Sequence, residues 1–207
     1  MRTNVYIDGF NLYYGALKDT PYKWLDLDAF CRTLLPKNDI RAIKYFTAKV
    51  KPLPWDEDLP NRQQTYLRAL ATIPHMEVFY GYFLSNETRM ARADGKGLVD
   101  VIKTEEKGSD VSLGAHVVWD ACSDRIDAAV LVTNDSDLAE PMRIVRKELG
   151  ISVGLIAPIG AYRRVNRQLR ENATFMRNLR DSTLRDCQFP DPVVDAQGKN
   201  IRKPSAW

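Results

Sequence analysis

The feature that most constrains the fold is the alternation of short apolar runs with amphipathic segments. The run Ala128–Thr133 is almost continuously apolar, as expected of a strand buried on both faces of a parallel sheet. Amphipathic patterns at Val111–Ser123 and Leu138–Leu149 predict helices on either side of it, and Gly150 is placed to end the second one. Strands that alternate with helices predict an α/β fold with a mostly parallel sheet and helices on both faces.

The remaining patterns complete this alternation. Further strands are predicted at Val5–Ile7, Ile40–Val50, Met76–Phe83 and Ile151–Ala157, with a short extended segment at Leu98–Lys103. Further helices are predicted at Asn11–Leu17, Leu27–Leu35, Asn61–Thr72 and within Tyr162–Leu179. Residues 84–97 are polar and predict a surface loop. We therefore expect one domain over residues 1–160, with an Arg-rich helix and an extended tail over 161–207 packed on it.

Acidic residues stand at three separate turns of this pattern. Asp8 ends the first strand, Asp110 opens a helix, and Asp135 and Asp137 follow the central strand. In open α/β sheets, ligands bind beyond the carboxyl ends of the strands, where the strand order reverses. If the first and central strands are neighbours at that point, Asp8, Asp135 and Asp137 converge in one crevice, and Asp110 could reach it from the start of its helix.

Each of these carboxylates also has a purely structural interpretation. Asp8 fits a turn, Asp110 fits a helix cap, and Asp137 with Glu140 resembles a capping box. Asp135 fits such a role least well. Like charges this close raise each other's pKa unless a cation lies between them. Together the four favour a shared metal site, and all-oxygen ligands favour Mg²⁺ or Mn²⁺.

The positive charge is concentrated in one segment of the chain. Residues 160–180 contain six arginines and one glutamate, a net charge of +5, whereas the whole chain carries +3. Such a cluster is either a phosphate-contacting surface or a solvated helix face. Arg163, Arg167 and Arg170 follow helical spacing and would share one face.

Three motifs, VYIDGFNLYY, EKGSDVSLGAHVV and AAVLVTNDSDLAEPM, occur in this order. They resemble the NYN domain (LabA/DUF88-like), a branch of the PIN-like nuclease superfamily, over roughly residues 3–158. The resemblance implies a PIN-like three-layer α/β/α sandwich with a central, mostly parallel twisted sheet. It also implies metal-dependent ribonuclease activity.

The resemblance assigns roles to individual residues. Asp8, Asp110, Asp135 and Asp137 match the acidic residues that bind the metal and carry catalysis. The resemblance also gives Asn11 and Lys107 as residues that could contact phosphate, and Asn134 and Ser136 as residues that could hold the loop or hydrogen-bond a metal-bound water. From the charge pattern, and not from the resemblance, Arg163, Arg164 and Arg167 are expected to bind the substrate with them. For Lys107, a solvated lysine is an equally good interpretation. Tyr13, Tyr14 and Trp24 could stack on unpaired bases; packing against the sheet is the favoured role of Tyr14 and is left open for the other two.

The leading hypothesis is a cytoplasmic ribonuclease that uses Mg²⁺ or Mn²⁺ and acts on single-stranded RNA. The three widely spaced cysteines fit a reducing compartment, and neither a signal peptide nor a membrane span is expected. The absence of GxGxxG after the first strand argues against a nucleotide cofactor. A non-catalytic RNA-binding or scaffold protein with the same fold is the alternative, and a homodimer is left open.

Overall fold

The structure, a computed structural model, describes residues 1–159 and 164–207. The strands are β1 (Arg2–Asp8), β2 (Asp39–Ala48), β3 (Met76–Ala91), β4 (Leu98–Lys107), β5 (Ala128–Val132), β6 (Ser152–Ile156), β7 (Phe175–Arg177), β8 (Val193–Val194) and β9 (Asn200–Ile201). The α-helices are α1 (Gly9–Leu12), α2 (Leu27–Leu34), α3 (Leu59–Leu70), α4 (Ser109–Cys122), α5 (Ala139–Arg143), α6 (Arg167–Asn172) and α7 (Asp181–Asp186). A π-turn over Tyr13–Leu17 extends α1, a 3₁₀ turn over Ser136–Leu138 precedes α5, and a π-turn over Ile144–Glu148 extends α5.

Seven strands form one sheet in the order β4-β3-β2-β1-β5-β6-β7. All neighbouring pairs are parallel except β3 and β4. The chain first moves outward from β1 to β2 and β3, and later returns to the other side of β1 with β5. The strand order therefore reverses between β1 and β5, which is where ligands bind in sheets of this kind.

Apolar side chains pack on both faces of the sheet and make three layers. Alternate residues of β1 point to opposite faces, as the period of a strand requires. Val5 and Ile7 pack with α2 and α3 in one core, whereas Tyr6 packs with α4 and α5 in the other. All five residues of β5 are buried, so the expected α/β/α sandwich with a mostly parallel sheet is confirmed.

The helix α2 illustrates how the sequence specifies these elements. Asp26 caps its N-terminus, where the carboxylate accepts hydrogen bonds from the backbone N–H groups of Asp28 and Ala29. The buried positions that follow are spaced as one helical face. These positions are Leu27, Phe30, Cys31 and Leu34.

Residues 84–97 correct one prediction, because most of them form a hairpin rather than a loop. β3 and β4 pair antiparallel: Tyr82 lies opposite Lys107 at one end of the hairpin, and Ala91 lies opposite Leu98 at the other. The ribbon extends beyond the helical layers and is largely exposed, so it lacks the apolar alternation that marks a half-buried strand. Polar cross-strand pairs stabilise it instead, such as Arg89 with Asp100 and Ser85 with Thr104.

The C-terminal region also differs from the predicted pattern. The helix predicted within 162–179 is only α6, and β7 then adds a strand to the main sheet. The tail is not simply extended, since it forms α7 and the β8–β9 pair. Phe189 and Trp207 pack against the ring of Trp24. Division of the chain at residue 160 stays a prediction.

Across the described residues, no helix has the length and apolar character needed to cross a bilayer.

Candidate metal centre at the switch point of the sheet

Asp8 forms the floor of a cleft at the carboxyl end of β1. Its side chain is 5% exposed, and it caps α1 by accepting a hydrogen bond from the backbone N–H of Asn11 at 2.9 Å. The other carboxylate oxygen accepts a hydrogen bond from the hydroxyl of Thr133 at 3.1 Å. Because β1 and β5 pair in register, Thr133 follows β5 directly beside Asp8.

The loop after β5 is tied to the turn after β1. The side-chain oxygen of Asn11 accepts a hydrogen bond from the backbone N–H of Asn134 at 3.0 Å. Asp135 in turn caps the 3₁₀ turn, where its carboxylate accepts a hydrogen bond from the backbone N–H of Asp137 at 2.9 Å. The cap is therefore Asp135 and not Asp137, the opposite of the capping-box interpretation. These bonds hold Asp135 close to Asp8.

Asp110 reaches the same cleft from the start of α4. Gly108 precedes this helix with a φ of 96°, a left-handed conformation that strains a residue with a side chain. The carboxylate of Glu106 accepts hydrogen bonds from the backbone N–H and the hydroxyl of Ser109, at 3.1 and 2.7 Å. Unlike Asp8 and Asp135, Asp110 accepts no hydrogen bond from any of the described residues, so its carboxylate is available to a ligand.

The cleft has a volume of about 340 Å³. It is lined by Asp8, Phe10, Asn11, Tyr14, Gly15, Phe83, Glu106, Ser109, Asp110 and Asp135. Three of the four predicted carboxylates therefore meet there. Asp137 is exposed, as is Ser136, and neither lines the cleft.

Glu106 is a fourth acidic residue of the cleft that the sequence analysis missed. It lies two residues before the Gly108-Ser109-Asp110 turn and is the penultimate residue of β4. Its position follows from the β3–β4 hairpin, which the sequence pattern did not predict. The signal that could have identified it is the acidic pair just before Gly108.

The carboxylates perturb one another electrostatically. Burial, reinforced by the charges of Asp110 and Asp135, raises the pKa of Asp8 to about 6, against the opposing effect of its hydrogen bonds from Asn11 and Thr133. Burial also raises the pKa of Asp110, and the charges of Asp135, Glu106 and Asp137 add to that shift. Asp137 thus acts on the cleft through its field although it does not line it.

The donor set fits a hard divalent cation. Among the described residues, none of the five carboxylates of this region forms an ion pair with Lys, Arg or His. Within the same ranges, no three His, Cys, Asp or Glu side chains lie close enough together to ligate one ion directly. Mg²⁺ commonly keeps several waters and binds through one or two carboxylates. Direct ligation by one or two carboxylates, with water between the ion and the others, is consistent with both observations.

The basic residues predicted to contact the substrate are placed differently. Lys107 is exposed and lies 3.3 Å from Glu105, and Arg167 pairs with Glu171 at 2.7 Å on α6. The backbone oxygen of Arg164 accepts a hydrogen bond from the side chain of Asn134, which places Arg164 beside the acidic loop. Arg163 lies outside the described residues. Their role in substrate binding stays a prediction.

A second, smaller cavity adjoins the cleft. It has a volume of about 90 Å³ and is lined mainly by aromatic and aliphatic side chains. Phe10 and Tyr14 line both spaces. Tyr14 is 60% exposed, so its predicted packing against the sheet is wrong, whereas Trp24 is 1% exposed and belongs to the core.

Comparisons with known proteins identify the family of the chain. The family model described as "NYN domain" matches residues 2–179. A 6-hydroxy-3-succinoylpyridine 3-monooxygenase, HspA, of Pseudomonas putida (strain DSM 28022 / S16) is 33% identical over 237 aligned positions, which cover all of this chain and 75% of that protein.

A solved structure shares the fold. It is a protein of unknown function, VPA0982, from Vibrio parahaemolyticus RIMD 2210633, with a TM-score of 0.58 and 18% identity. The match covers 87% of this chain and 93% of that one. With the family match over most of its length, the chain belongs to the NYN domain family, within the PIN-like nuclease superfamily.

Proposed function

We propose that the protein is a metal-dependent ribonuclease that hydrolyses phosphodiester bonds of single-stranded RNA in the acidic cleft. The observation that carries this proposal is the meeting of Asp8, Asp110 and Asp135 at the switch point, with no cationic partner among the described residues. Membership of a nuclease superfamily supports the same chemistry.

The chain's own residues would position the cation and the substrate. Asp8, Asp110 and Asp135 would hold Mg²⁺ or Mn²⁺ directly or through water, with Glu106 at the rim. When bound, such a cation lowers the pKa of water and neutralises charge that develops on phosphate. Asn11 is fixed through its oxygen to Asn134, and its amide nitrogen donates to no described residue, so it is free to bind a phosphate oxygen.

The cleft's charge makes the cation a condition for binding as well as for hydrolysis. Without it, several carboxylates would face a polyanion and repel it. Hydrolysis by in-line attack of water would leave a 5′-phosphate and a 3′-hydroxyl. Since neither His75 nor His116 lines the cleft, we assign water activation to the cation.

The decisive experiment measures cleavage of a labelled single-stranded RNA with Mg²⁺ or Mn²⁺, and with EDTA. We expect Asp8→Asn and Asp110→Asn to lose at least a hundredfold in rate and EDTA to abolish cleavage. Asp186→Asn is a matched control, because Asp186 is exposed on α7 and does not line the cleft. RNA binding without turnover in the wild type would instead favour the non-catalytic alternative.

A second candidate function is oxygenation of a small hydroxypyridine-type acid. The monooxygenase name of a relative that is 33% identical over this whole chain suggests it, and the aromatic-lined cavity beside the cleft is a site for such a ring. Oxygen insertion needs dioxygen and two electrons from a reductant. Consumption of dioxygen in the presence of 6-hydroxy-3-succinoylpyridine and a reduced nicotinamide would support this function. Cleavage of RNA by a protein that consumes no dioxygen under these conditions would exclude the oxygenase function.

A further inference from the structure

The aromatic-lined cavity is a second concave site that the cleavage chemistry does not use. Gly9, Phe10 and Leu12 of α1 contribute to its wall, and Asp8 does not. Six aromatic side chains line it. They are Phe10, Tyr13, Tyr14, Tyr45, Tyr66 and Trp207. Rings around a small space favour a flat aromatic ligand.

The volume limits the size of that ligand. An engineered apolar cavity of roughly 150 Å³ accommodates benzene. At about 90 Å³ the cavity is smaller than that, so it takes only the edge of a single six-membered ring, with the rest of the ring outside against Tyr14, and it excludes a bicyclic purine. This restriction separates pyrimidine bases from purine bases by size.

Most polar groups of the cavity are already engaged. The side chain of Gln63 donates to the backbone oxygen of Ala48 and accepts from the N–H of Val50, and the hydroxyl of Tyr66 donates to the oxygen of Leu25. The ammonium of Lys23 donates to the oxygen of Thr20, which leaves it further N–H donors. The 2-carbonyl oxygen that uracil and cytosine share is an acceptor for such a donor.

Tyr14 connects the cavity with the acidic cleft. Its ring lies 5.2 Å from that of Tyr13 in an edge-on arrangement and 6.5 Å from that of Phe10 in a stacked one. An exposed aromatic ring beside a phosphate site can act as a stacking platform for a base of a single strand. A nucleotide whose phosphate lies in the cleft can place its base against this ring.

We propose that the cavity binds a pyrimidine base adjacent to the phosphate in the acidic cleft, so that the protein favours pyrimidine positions in RNA. This inference rests on the proposed ribonuclease function. It predicts that substrate preference arises from Tyr14 and Lys23, whereas hydrolysis arises from the carboxylates.

The test compares KM for oligouridylate and oligoadenylate of equal length in the presence of Mn²⁺. We expect the wild type to favour oligouridylate and Tyr14→Ala to raise KM for it on the order of tenfold. Lys23→Met should raise KM for oligouridylate towards that for oligoadenylate. Trp119→Ala is the matched control, because Trp119 is 61% exposed and lines neither space.

A binding measurement separates this inference from the proposed function. Uridine and adenosine are titrated into metal-free protein, and NMR shifts of the tyrosine and tryptophan rings are followed. If RNA is not cleaved but uridine shifts these resonances and Tyr14→Ala weakens its binding, the ribonuclease proposal fails while the pyrimidine site stands. The inference would be overturned if KM were equal for oligouridylate and oligoadenylate and Tyr14→Ala changed neither value. It would also be overturned if a free hydroxypyridine shifted the ring resonances and uridine did not.

Discussion

At the scale of single residues, the chemistry depends on one buried carboxylate whose charge is unfavourable in the metal-free protein. Asp8 is almost inaccessible to solvent, yet it has no cationic partner among the described residues and has two like charges near it. Its hydrogen bonds from Asn11 and Thr133 compensate only in part, since its pKa remains raised to about 6. Functional sites commonly accept such a cost in stability.

This cost predicts a stabilising substitution. Because the folded state holds the Asp8 proton more tightly than the unfolded chain does, the metal-free protein should gain stability as pH falls from 7 through 6 towards 4. Above pH 7 the charged form is disfavoured by on the order of 2–3 kcal/mol. We expect Asp8→Asn to raise the free energy of unfolding at pH 8 and to flatten this pH dependence.

Urea denaturation of metal-free protein at pH 5 and pH 8 measures this effect. Asp186→Asn, on an exposed carboxylate, should leave the pH dependence unchanged. The prediction would be wrong if the wild type were more stable at pH 8 than at pH 5 and Asp8→Asn were less stable than the wild type at both pH values. That result would show that the charged form of Asp8 is stabilised by its surroundings.

At the scale of secondary-structure elements, the sequence predicted what is buried better than what is exposed. The central strand Ala128–Val132 and the helix at Leu27–Leu34 were predicted nearly as they stand, because burial imposes a clear apolar pattern. The β3–β4 hairpin packs on little else, so its pairing comes from cross-strand contacts that periodicity does not reveal. β7, with three residues, is too short for a pattern to mark it.

One inter-element contact was also invisible in the sequence. The carboxylate of Asp120 on α4 is 1% exposed and pairs with the ammonium of Lys44 on β2 at 2.6 Å. It also accepts hydrogen bonds from Tyr6 and Asn4 on β1. Burial by itself raises the pKa of Asp120, but these donors lower it overall, so the group is held as an anion. The pair thus joins α4, which carries Asp110, to the central strands.

Removal of one partner of this pair should be costly. We expect Lys44→Met to lower the free energy of unfolding by about 3–5 kcal/mol, because it leaves the buried carboxylate with only the exposed Arg125, 3.8 Å away, as a cation. The double variant Lys44→Met/Asp120→Leu should recover much of this loss, as measured by urea denaturation. Arg89→Ala, at the exposed pair on the hairpin, should cost far less than Lys44→Met, because solvent screens that pair. A double variant no more stable than the single one would contradict an electrostatic origin.

The turn from β4 into α4 gives an element-scale prediction about the site. Gly108 has a φ of 96°, so Gly108→Ala should cost about 1–3 kcal/mol and displace Asp110, which lies two residues on. We expect a lower cleavage rate under conditions where the variant is folded. Gly198→Ala places the same strain, at a φ of 76°, in the β8–β9 turn. Gly198→Ala should lower stability to a similar extent without lowering the cleavage rate. If both variants lost the same fraction of the cleavage rate, displacement of Asp110 would not be the cause.

At the scale of the whole molecule, topology assembles the site from distant parts of the chain. The sequence analysis expected the four acidic residues to meet on the condition that the first and central strands are neighbours at the switch point, and the strand order shows that β1 and β5 are neighbours. The sequence did not show that Asp135 lines the cleft and Asp137 does not. The two are only two residues apart, and the 3₁₀ turn that begins between them determines which side chain faces the cleft. The sequence analysis could not find Glu106, because the hairpin that carries it has no buried pattern.

The arginines of residues 164–180, which the structure describes, lie in more than one place. Arg164 and Arg167 follow the acidic loop through Asn134 and Asn166, whereas Arg177 and Arg180 line a separate surface cavity with Lys37. This division indicates which arginines an RNA strand in the cleft would meet. If RNA binds in the cleft as proposed, we expect its phosphates to meet the first pair rather than the second.

Salt dependence of RNA binding distinguishes the two groups. Each phosphate contact on a single strand contributes about 0.7 to the slope of log affinity against log salt concentration. We expect Arg164→Gln/Arg167→Gln to weaken binding of single-stranded RNA and to reduce that slope by about 1.4, measured with Asp8→Asn protein so that no cleavage intervenes. Lys37→Gln/Arg180→Gln removes the same charge from the separate cavity and should leave the slope unchanged. If the second double variant reduces the slope more than the first, the strand follows the other arginines and the path proposed from the cleft is wrong.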